Sequence, residues 1–333
     1  MNLLFYGFRH GHIFGCFQQA KNNANVNILA AIEENEPARQ KAQQELNFPV
    51  AADGFEQWLC DPQVDAVAFG GAYGDRGQAI IKSLQHGKHV IIDKPVCTDL
   101  KELEQIRQLS VSKNLKVGCL LDLRKIPATA TVKNLLASGR MGKVKNITFT
   151  GQHCIDYAHR PGWYFEPGKH GGTINDIAIH GIDLVPYITG EKISKVYCAK
   201  TWNAFATLHP HFCDCATFMA ETEGGAGILA DVSYAAPSQV FSMPTYWNFQ
   251  IWCENGLVTF CVKYADVTIY ENGKTEPEVL PGTPNDTNML DDFVNEVQNN
   301  TRTFTESVLS ATETALRIQQ VADASKFDKG VSV

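Results

Sequence analysis

The sequence lacks two features that define large classes of proteins. It contains no apolar run of the roughly 20 residues that a membrane-spanning helix requires, so a membrane protein is not expected. Its 29 Lys and Arg residues form no basic stripe and are outnumbered by 36 Asp and Glu residues. Because binding to a phosphate backbone needs clustered positive charge, the net charge of -7 argues against a nucleic-acid partner.

The amino-terminal segment also lacks the features of a secretory signal. Met1–Tyr6 is apolar, but no charged residues precede it, and Gly7 and Arg9 interrupt the apolar pattern early. The ten cysteines are scattered, several of them in apolar runs, through a chain large enough to form a packed core. This use of cysteine is typical of a reducing compartment, so we expect a cytoplasmic protein.

What the sequence does contain is a change of pattern near residue 122. With 333 residues the chain exceeds the size of a single core, so two domains are expected. The first part alternates apolar strands with amphipathic helices, and the second has alternating or β-branched strands separated by Gly-containing turns. The sequence therefore predicts an α/β protein: an N-terminal Rossmann domain with a doubly wound parallel sheet over 1–122, and a C-terminal α+β domain with a large, mostly antiparallel open sheet over 123–333.

The same patterns predict individual elements. Strands of the first domain are expected at 2–6, 26–32, 64–69, 89–92 and 116–120. Strands of the second domain are expected at 143–150, 196–202, 215–220, 227–233, 248–253, 257–262 and 267–270. Two closing helices, expected at 289–299 and 306–327, could pack back on the first domain.

The segment from Asp176 to Asp183 indicates acid-base chemistry. Residues three and four apart share a helix face, so Asp176, His180 and Asp183 are expected along one stripe. A His oriented by a carboxylate can take a proton from a hydroxyl group, and a Lys can stabilise the developing negative charge. Lys94 is the candidate Lys because it follows an apolar strand, at the edge where open α/β sheets bind ligands. The alternative is a core histidine bonded to a backbone carbonyl.

Several motifs occur in a fixed order along nearly the whole chain. They are Gly87–Pro95 (GKHVIIDKP), Arg124 with Pro127, Ser138–Gly139 with Gly142–Lys143, Trp163, Gly171–Gly172 followed by Asp176, His180 and Asp183, then Asp292–Phe293 and Ser325–Val333. In this order they resemble the family of glucose-fructose oxidoreductase, inositol dehydrogenase and MocA (Gfo/Idh/MocA). The resemblance implies a Rossmann domain followed by a sheet domain.

The resemblance also implies a reaction. Members of this family transfer a hydride between NAD or NADP and a hydroxyl carbon of a sugar, polyol or related small molecule. By that likeness His180 would be the general base, Asp176 would orient it or the substrate, and Lys94 would bridge the nicotinamide ribose and the substrate hydroxyl. Further substrate contacts are expected from Arg124, Trp163, Tyr164 and Asp183. The family's sheets often associate, so a homodimer or homotetramer is expected.

The glycine-rich turn departs from the dinucleotide pattern. With Gly7 in the first position of G-x-G-x-x-G, Arg9 and His12 stand where the second and third glycines are expected. Arg9 could instead contact a phosphate through its guanidinium. Glu33 or Glu34, after the second strand, could bind the adenosine ribose and favour NAD, whereas Arg39 leaves NADP open. The expected cofactor-binding residues are Gly7, Phe8, Arg9, His10, Gly11, His12, Glu33, Glu34, Gly71, Tyr73, Arg76, Asp93, Lys94 and Pro95.

Other departures leave alternatives open. Residues 70–77 replace the family's Thr-Pro-Asn…His loop, with Arg76 where His is common, and Asp93 stands in for Glu. The altered loops at Arg9 and at Tyr73–Arg76 could mark a non-catalytic sugar or dinucleotide sensor, and the family also includes NAD-dependent glycoside hydrolases. Four residues alternate along the chain as they would if they bound a metal from one face of a strand: His209, His211, Cys213 and Cys215. Pro210 interrupts such a strand, so no metal is predicted. Polar and aromatic residues between 153 and 170 are expected in a loop that could contact substrate.

Overall fold

The computed structural model describes residues 1–325. The predicted end of the last helix at Phe327 lies outside the described residues. The Ser325–Val333 motif also lies outside them, apart from Ser325. Two compact units are distinguished by their internal contacts. Unit 1 comprises Met1–Leu121, Pro161–Gly171 and Thr287–Glu313, and unit 2 comprises Asp122–Arg160, Gly172–Asp286 and the chain from Thr314.

Unit 1 contains a five-stranded parallel sheet. Its strands are β1 (Asn2–Tyr6), β2 (Asn27–Ile32), β3 (Ala66–Phe69), β4 (His89–Ile92) and β5 (Val117–Cys119), in the order β2-β1-β3-β4-β5. The central strands are buried on both faces, as expected for a parallel sheet covered by helices. The predicted Rossmann sheet is confirmed.

The register of this sheet aligns the carboxyl ends of its strands. Tyr6 pairs with Ile32 on one side and with Phe69 on the other, and Phe69 in turn pairs with Ile92. Strand order reverses at β1, so the loops after β1 and β3 lie side by side. Such a switch point is where open α/β sheets bind ligands.

Helices connect these strands. They are α1 (His12–Asn22), α2 (Glu36–Leu46), α3 (Phe55–Cys60), α4 (Arg76–Gln85) and α5 (Leu100–Ser112). Local sequence determines where several of them begin: the side chain of Asn35 accepts a hydrogen bond from the Ala38 amide at the start of α2, and Asp99 accepts two amides at the start of α5.

Unit 2 contains an eight-stranded sheet covered by helices. The helices are α6 (Pro127–Ala137) and α7 (Ile179–Thr189), and the strands are β6 (Val144–Gln152), β7 (Ile193–Trp202), β8 (Cys215–Thr222), β9 (Gly227–Ser233), β10 (Trp247–Cys253), β11 (Gly256–Cys261), β12 (Val267–Glu271) and β13 (Glu278–Leu280). The strand order is β13-β12-β11-β10-β6-β9-β8-β7, and within this sheet, as far as the described residues show, only β6 and β9 pair in parallel. This confirms the predicted mostly antiparallel sheet. Strand β13 was not predicted, since it has only three residues.

The chain ends in helices α8 (Met289–Asn299) and α9 (Thr303–Ser325). Asn288 and Asp291 form a capping box at the start of α8, in which each side chain bonds the other residue's amide. Helix α8 packs against β4, β5 and α1 of unit 1. Of the helices within residues 1–325, none combines the length and apolarity needed to cross a bilayer.

Candidate active site

Two glycines bring the loops at the switch point of unit 1 together. Gly7 has a φ of +84°, and a Cβ placed there would lie 2.6 Å from the Gly71 amide nitrogen. A Cβ on Gly70 would lie 2.6 Å from the Gly7 carbonyl oxygen. The Arg9 amide then donates to the Gly70 carbonyl at 2.8 Å. Only glycine permits this approach, so the turn keeps its first glycine although Arg9 and His12 replace the other two.

Two histidines of this turn bind the carboxylate of Asp93, at the end of β4. His10 Nδ1 lies 2.6 Å from Asp93 Oδ2, and His12 Nδ1 lies 3.2 Å from Asp93 Oδ1. Burial lowers the pKa of His10 to about 4, so its imidazole is neutral near pH 7 and donates a hydrogen bond. Burial alone would raise the pKa of Asp93, but the two histidines hold it well below its ordinary value. The turn after β1 is thereby joined to the end of β4.

The same three side chains could hold a divalent metal ion. Within residues 1–325 they are the one group of three His, Cys, Asp or Glu side chains whose ligand atoms all lie within 4.8 Å of one another. Zn²⁺ and Fe²⁺ accept two imidazoles and a carboxylate. The Asp93 carboxylate, however, already interacts with the buried Arg76 guanidinium, and the Lys94 ammonium lowers the pKa of His10. Both cations would repel a dication, so the charge around the three side chains disfavours a metal ion there.

Lys94 lies in a buried polar and aromatic environment. Only 4% of it is exposed, and its Nζ donates a hydrogen bond to the Tyr73 hydroxyl at 3.3 Å. The Tyr73 hydroxyl lies 3.0 Å from that of Tyr164. The peptide bond between Lys94 and Pro95 is cis. Arg76 donates from its guanidinium to backbone carbonyls of this turn, including that of Pro95 at 3.1 Å.

The segment Pro161–Gly171 adds aromatic side chains to unit 1. Trp163 packs edge-on against Tyr73, with ring centroids 4.8 Å apart, and donates from Nε1 to the Arg9 carbonyl at 3.1 Å. Tyr164 stacks with His10 at 6.2 Å. Trp163 and Tyr164 were predicted to contact substrate. The structure places them against the expected cofactor loops of unit 1, which leaves that role a prediction.

The acidic residues after β2 differ from each other. Glu33 is buried, and its carboxylate accepts the amides of Phe8 at 2.6 Å and Asn35 at 2.8 Å. Glu34 is exposed and accepts from the Tyr6 hydroxyl at 2.8 Å. Arg39 donates to the backbone carbonyls of both glutamates. Glu33 therefore fixes the glycine-rich turn, whereas Glu34 presents a carboxylate at the surface.

In unit 2, Asp176 and His180 lie where the chain enters α7. Both are buried, with 2% and 6% exposed. Asp176 belongs to a π-helical turn, Ile174–Ala178, which precedes α7. The prediction that Asp176 lies on one α-helical face with His180 and Asp183 is therefore wrong for Asp176. Such turns occur often at functional sites. The His180 ring packs edge-on against Trp247, with centroids 5.6 Å apart.

Arg124 and Asp183, both expected to contact substrate, bind each other. Arg124 donates from Nε to Asp183 Oδ2 at 2.7 Å, and its second nitrogen bonds Oδ1. Burial raises the pKa of Asp183, and the guanidinium opposes that effect. Arg124 also lies over the Tyr187 ring, 5.1 Å from its centroid. The observed contacts join α7 to the turn at Asp122–Lys125, and contact of either residue with substrate stays a prediction.

Aromatic residues near His180 were missed from the sequence. Trp247 begins β10 and pairs with Gly151 of β6, where a Cβ would lie 2.5 Å from the indole ring. Beyond Gly151, His153 packs on Trp247 at 5.7 Å and on Tyr246 at 5.2 Å. The available signal was Gly151 inside a strand, since such glycines often mark close packing by a neighbour. Which neighbour approaches depends on strand order.

The alternating His and Cys residues do not share a strand face. Strand β8 begins only at Cys215, and His209 to Cys213 form turns before it. The buried Asp214 accepts the amides of Ala204 and Phe205 at 2.8 and 2.7 Å, which organises this loop. The alternation therefore reflects a turn rather than a ligand set.

Two family models match the chain. Residues 7–120 match an oxidoreductase family with an NAD-binding Rossmann fold, and residues 129–259 match the GFO/IDH/MocA C-terminal domain. The chain belongs to the GFO/IDH/MocA oxidoreductase family. The predicted family and the NAD cofactor are thus confirmed at the level of the family.

Several characterised proteins are similar in sequence to this chain over part of their length. The chain is 25% identical over 175 residues to levoglucosan dehydrogenase of Pseudarthrobacter phenanthrenivorans, covering 51% of this chain and 44% of that protein. It is 30% identical over 155 residues to the scyllo-inositol 2-dehydrogenase (NAD(+)) of Bacillus subtilis, covering 43% and 42%. The chain therefore spans less than half the length of either relative.

Solved structures match over nearly the whole chain. A protein from Erwinia carotovora atroseptica, described as an oxidoreductase, superposes with a TM-score of 0.86 at 23% identity, covering 97% of this chain and 98% of that one. Levoglucosan dehydrogenase in complex with NADH and levoglucosan gives a TM-score of 0.80 at 17% identity, covering 98% and 97%. At these identities the comparison establishes a shared fold.

Proposed function

We propose that this protein is an NAD-dependent oxidoreductase that transfers a hydride between the cofactor and a hydroxyl carbon of a sugar or polyol. The observation that carries the proposal is the presence of Lys94 at the carboxyl end of β4 in an NAD-binding Rossmann unit, together with Asp176 and His180 at the start of α7. The names of the relatives support a sugar or polyol substrate.

Each residue has a defined role in the oxidative direction. His180 takes the proton of the substrate hydroxyl, and Asp176 orients the imidazole or the substrate. The Lys94 ammonium donates a hydrogen bond to the oxygen as negative charge develops on it. NAD held by the loops after β1 and β3 would supply the acceptor for the hydride of the hydroxyl carbon, which becomes a carbonyl carbon. In the reductive direction His180 returns the proton to the oxygen.

The acidic residues after β2 support NAD rather than NADP. Glu34 presents a carboxylate that can accept from a ribose hydroxyl but would repel a 2′-phosphate. Arg39, which could have bound that phosphate, donates instead to the carbonyls of Glu33 and Glu34. We therefore expect NAD and NADH to raise the melting temperature of the protein more than NADP and NADPH do.

Activity tests the proposed residues. With a polyol and sugar panel, NADH formation should fall about 100- to 10,000-fold in His180→Asn and about 100- to 1,000-fold in Lys94→Met. The exposed residues His211 and Lys101 provide matched controls, His211→Asn and Lys101→Met, which should retain activity. Stabilisation by NAD should persist in His180→Asn and in both controls, and it should weaken in Lys94→Met, which loses the expected contact with the nicotinamide ribose. Turnover that is unchanged in Lys94→Met would contradict the proposal. The finding that none of the four dinucleotides stabilises the protein would also contradict it.

We also propose that the protein self-associates through the outer face of the eight-stranded sheet. Met219, Leu229, Trp252 and Tyr270 lie on this face and are 41%, 45%, 48% and 49% exposed. Their strands belong to one sheet, so these apolar side chains are exposed on the same face, together with polar residues such as Thr148 of β6. Sedimentation velocity should show a homodimer or homotetramer that Trp252→Glu weakens and Val111→Glu, on α5, does not. A monomeric wild type contradicts this proposal.

A cytoplasmic location is proposed from the environment of the cysteines. Cys16, Cys97, Cys119, Cys215 and Cys261 are buried, and burial raises the pKa of Cys97 to about 12. These thiols behave as small apolar core residues, which suits a reducing compartment.

A further inference from the structure

We infer that Tyr73 and Arg76 are positioning residues for Lys94. The inference rests on the proposed function, because it concerns the placement of a proposed catalytic residue. Tyr73 and Arg76 belong to the segment after β3 and the start of α4, where the sequence departs from the family's usual loop.

The first observation concerns the side chain of Lys94. A buried ammonium group needs hydrogen-bond acceptors, because it has lost most of its contact with water. The Tyr73 hydroxyl accepts from Lys94 Nζ at 3.3 Å and lies 3.0 Å from the Tyr164 hydroxyl. Having accepted from the ammonium, Tyr73 can donate to Tyr164, so its oxygen is fixed from two sides. Tyr73 has no exposed surface, which limits the rotation of this hydroxyl.

The second observation concerns the backbone around Lys94. Arg76 is 2% exposed and donates to the carbonyl oxygens of Asp93 and Pro95, on either side of Lys94. Its other terminal nitrogen donates to the Gly71 carbonyl, in the loop after β3. The planar guanidinium has donors pointing in several fixed directions, which a lysine or histidine cannot reproduce. Arg76 therefore joins the loop after β3 to the turn after β4.

The third observation connects the two residues. The Arg76 guanidinium lies over the Tyr73 ring, 4.8 Å from its centroid. The same ring packs against Trp163 at 4.8 Å. Arg76 thus fixes both the backbone that carries Lys94 and the ring that carries its hydrogen-bond acceptor. Since a displacement of about 1 Å can cost about 100-fold in rate, this arrangement matters for catalysis.

The competing explanation is that Tyr73 only packs against its neighbours and does not position Lys94. The substitution Tyr73→Phe distinguishes these two explanations. This variant keeps the ring and its aromatic contacts but removes the hydroxyl that Lys94 contacts. We expect kcat to fall about 10- to 100-fold, with KM changed less than about threefold and with the pH profile of kcat displaced. The melting temperature should fall by only a few degrees, because one buried hydroxyl is lost while the ring contacts remain, and its rise with NADH should persist. Tyr197→Phe, on the exposed face of β7, is the matched control and should change none of these quantities.

Arg76→Lys tests the backbone contacts independently of turnover. Hydrogen exchange followed by mass spectrometry should show faster exchange in peptides covering 70–74 and 93–98 of the full-length protein, and unchanged exchange in α8. Arg107→Lys, which changes the partly exposed partner of Glu313, is the control. Unchanged kcat and pH profile in Tyr73→Phe, or unchanged exchange in Arg76→Lys, overturns the inference. If wild type turns over no substrate, the proposed function fails, and the exchange measurement still decides whether Arg76 fixes the Lys94 turn.

Discussion

The two units support their functional residues in different ways. In unit 1, Lys94 lies in a turn without regular structure, and Arg76 binds backbone carbonyls of that turn. Glu33 likewise binds the Phe8 amide of the glycine-rich turn after β1. In unit 2, Asp176 and His180 lie on a helical segment, and the ion pair of Arg124 with Asp183 fixes helix α7 to a neighbouring turn. Loops need many directional contacts to acquire one geometry, whereas a helix needs few because its backbone is already satisfied.

The largest expected effect concerns the ion pair of unit 2. Asp183→Asn removes the carboxylate charge and leaves the Arg124 guanidinium buried without its anion, which should destabilise the protein by about 3–5 kcal/mol. The measurement is the free energy of unfolding from urea titration, with activity as a second readout. Glu254→Gln, at a surface ion pair with Lys145, is the control and should change stability little. Equal stabilities of the two variants would show that α7 does not depend on this pair.

A smaller effect is expected at the glycine-rich turn of unit 1. Gly7→Ala places a Cβ 2.6 Å from the Gly71 nitrogen at a φ of +84°, so the loops after β1 and β3 must separate. We expect a loss of about 1–3 kcal/mol in stability, together with loss of the stabilisation by NAD.

Gly15→Ala provides the control for that substitution. Gly15 lies inside α1, and a Cβ there would meet no atom of residues 1–325 within 4 Å, apart from its chain neighbours and the backbone of its own helix. This variant should therefore gain up to about 1 kcal/mol from helix propensity and keep NAD binding. If Gly7→Ala binds NAD as well as Gly15→Ala does, the close approach of the two loops is not required for the cofactor.

Acid should destabilise unit 1 through His89. Its Nδ1 accepts the Lys116 amide at 2.9 Å, and burial together with the nearby Lys116 charge lowers its pKa to about 4. The unfolded chain takes up a proton below about pH 6.5, whereas the folded protein does so only near pH 4. Stability should therefore be complete above pH 6.5 and decline between pH 6.5 and 4, by about 2 kcal/mol at pH 5.

Urea titrations of wild type and His89→Asn at pH 7 and pH 5 measure this effect. The asparagine carbonyl can accept the same amide but does not titrate, so the difference between the two pH values should be smaller in the variant. An equal difference in both proteins would place the acid sensitivity elsewhere, for example at His10, whose pKa burial also lowers to about 4.

The sequence predicted the fold well because the signals are local and repeated. Alternation of strands and helices up to Val117–Cys119, and alternating strands from Val144 onward, follow from periodicity within each segment. The partners of charged residues were not predicted in the same way. Arg76 was expected at the cofactor, yet its nitrogens bind carbonyls at Asp93 and Pro95. Arg124 was expected at the substrate, yet it binds Asp183, 59 residues away.

The sequence by itself determined the two sheets, the family and the positions of Lys94, Asp176 and His180, because periodicity and ordered motifs are properties of neighbouring residues. Only the tertiary structure decided which groups surround them: the two histidines on Asp93, the hydroxyl of Tyr73 on Lys94, and Trp247 against His180. These contacts join segments from different strands and loops. Their identity depends on strand order and on close packing between distant parts of the chain, which local patterns do not encode.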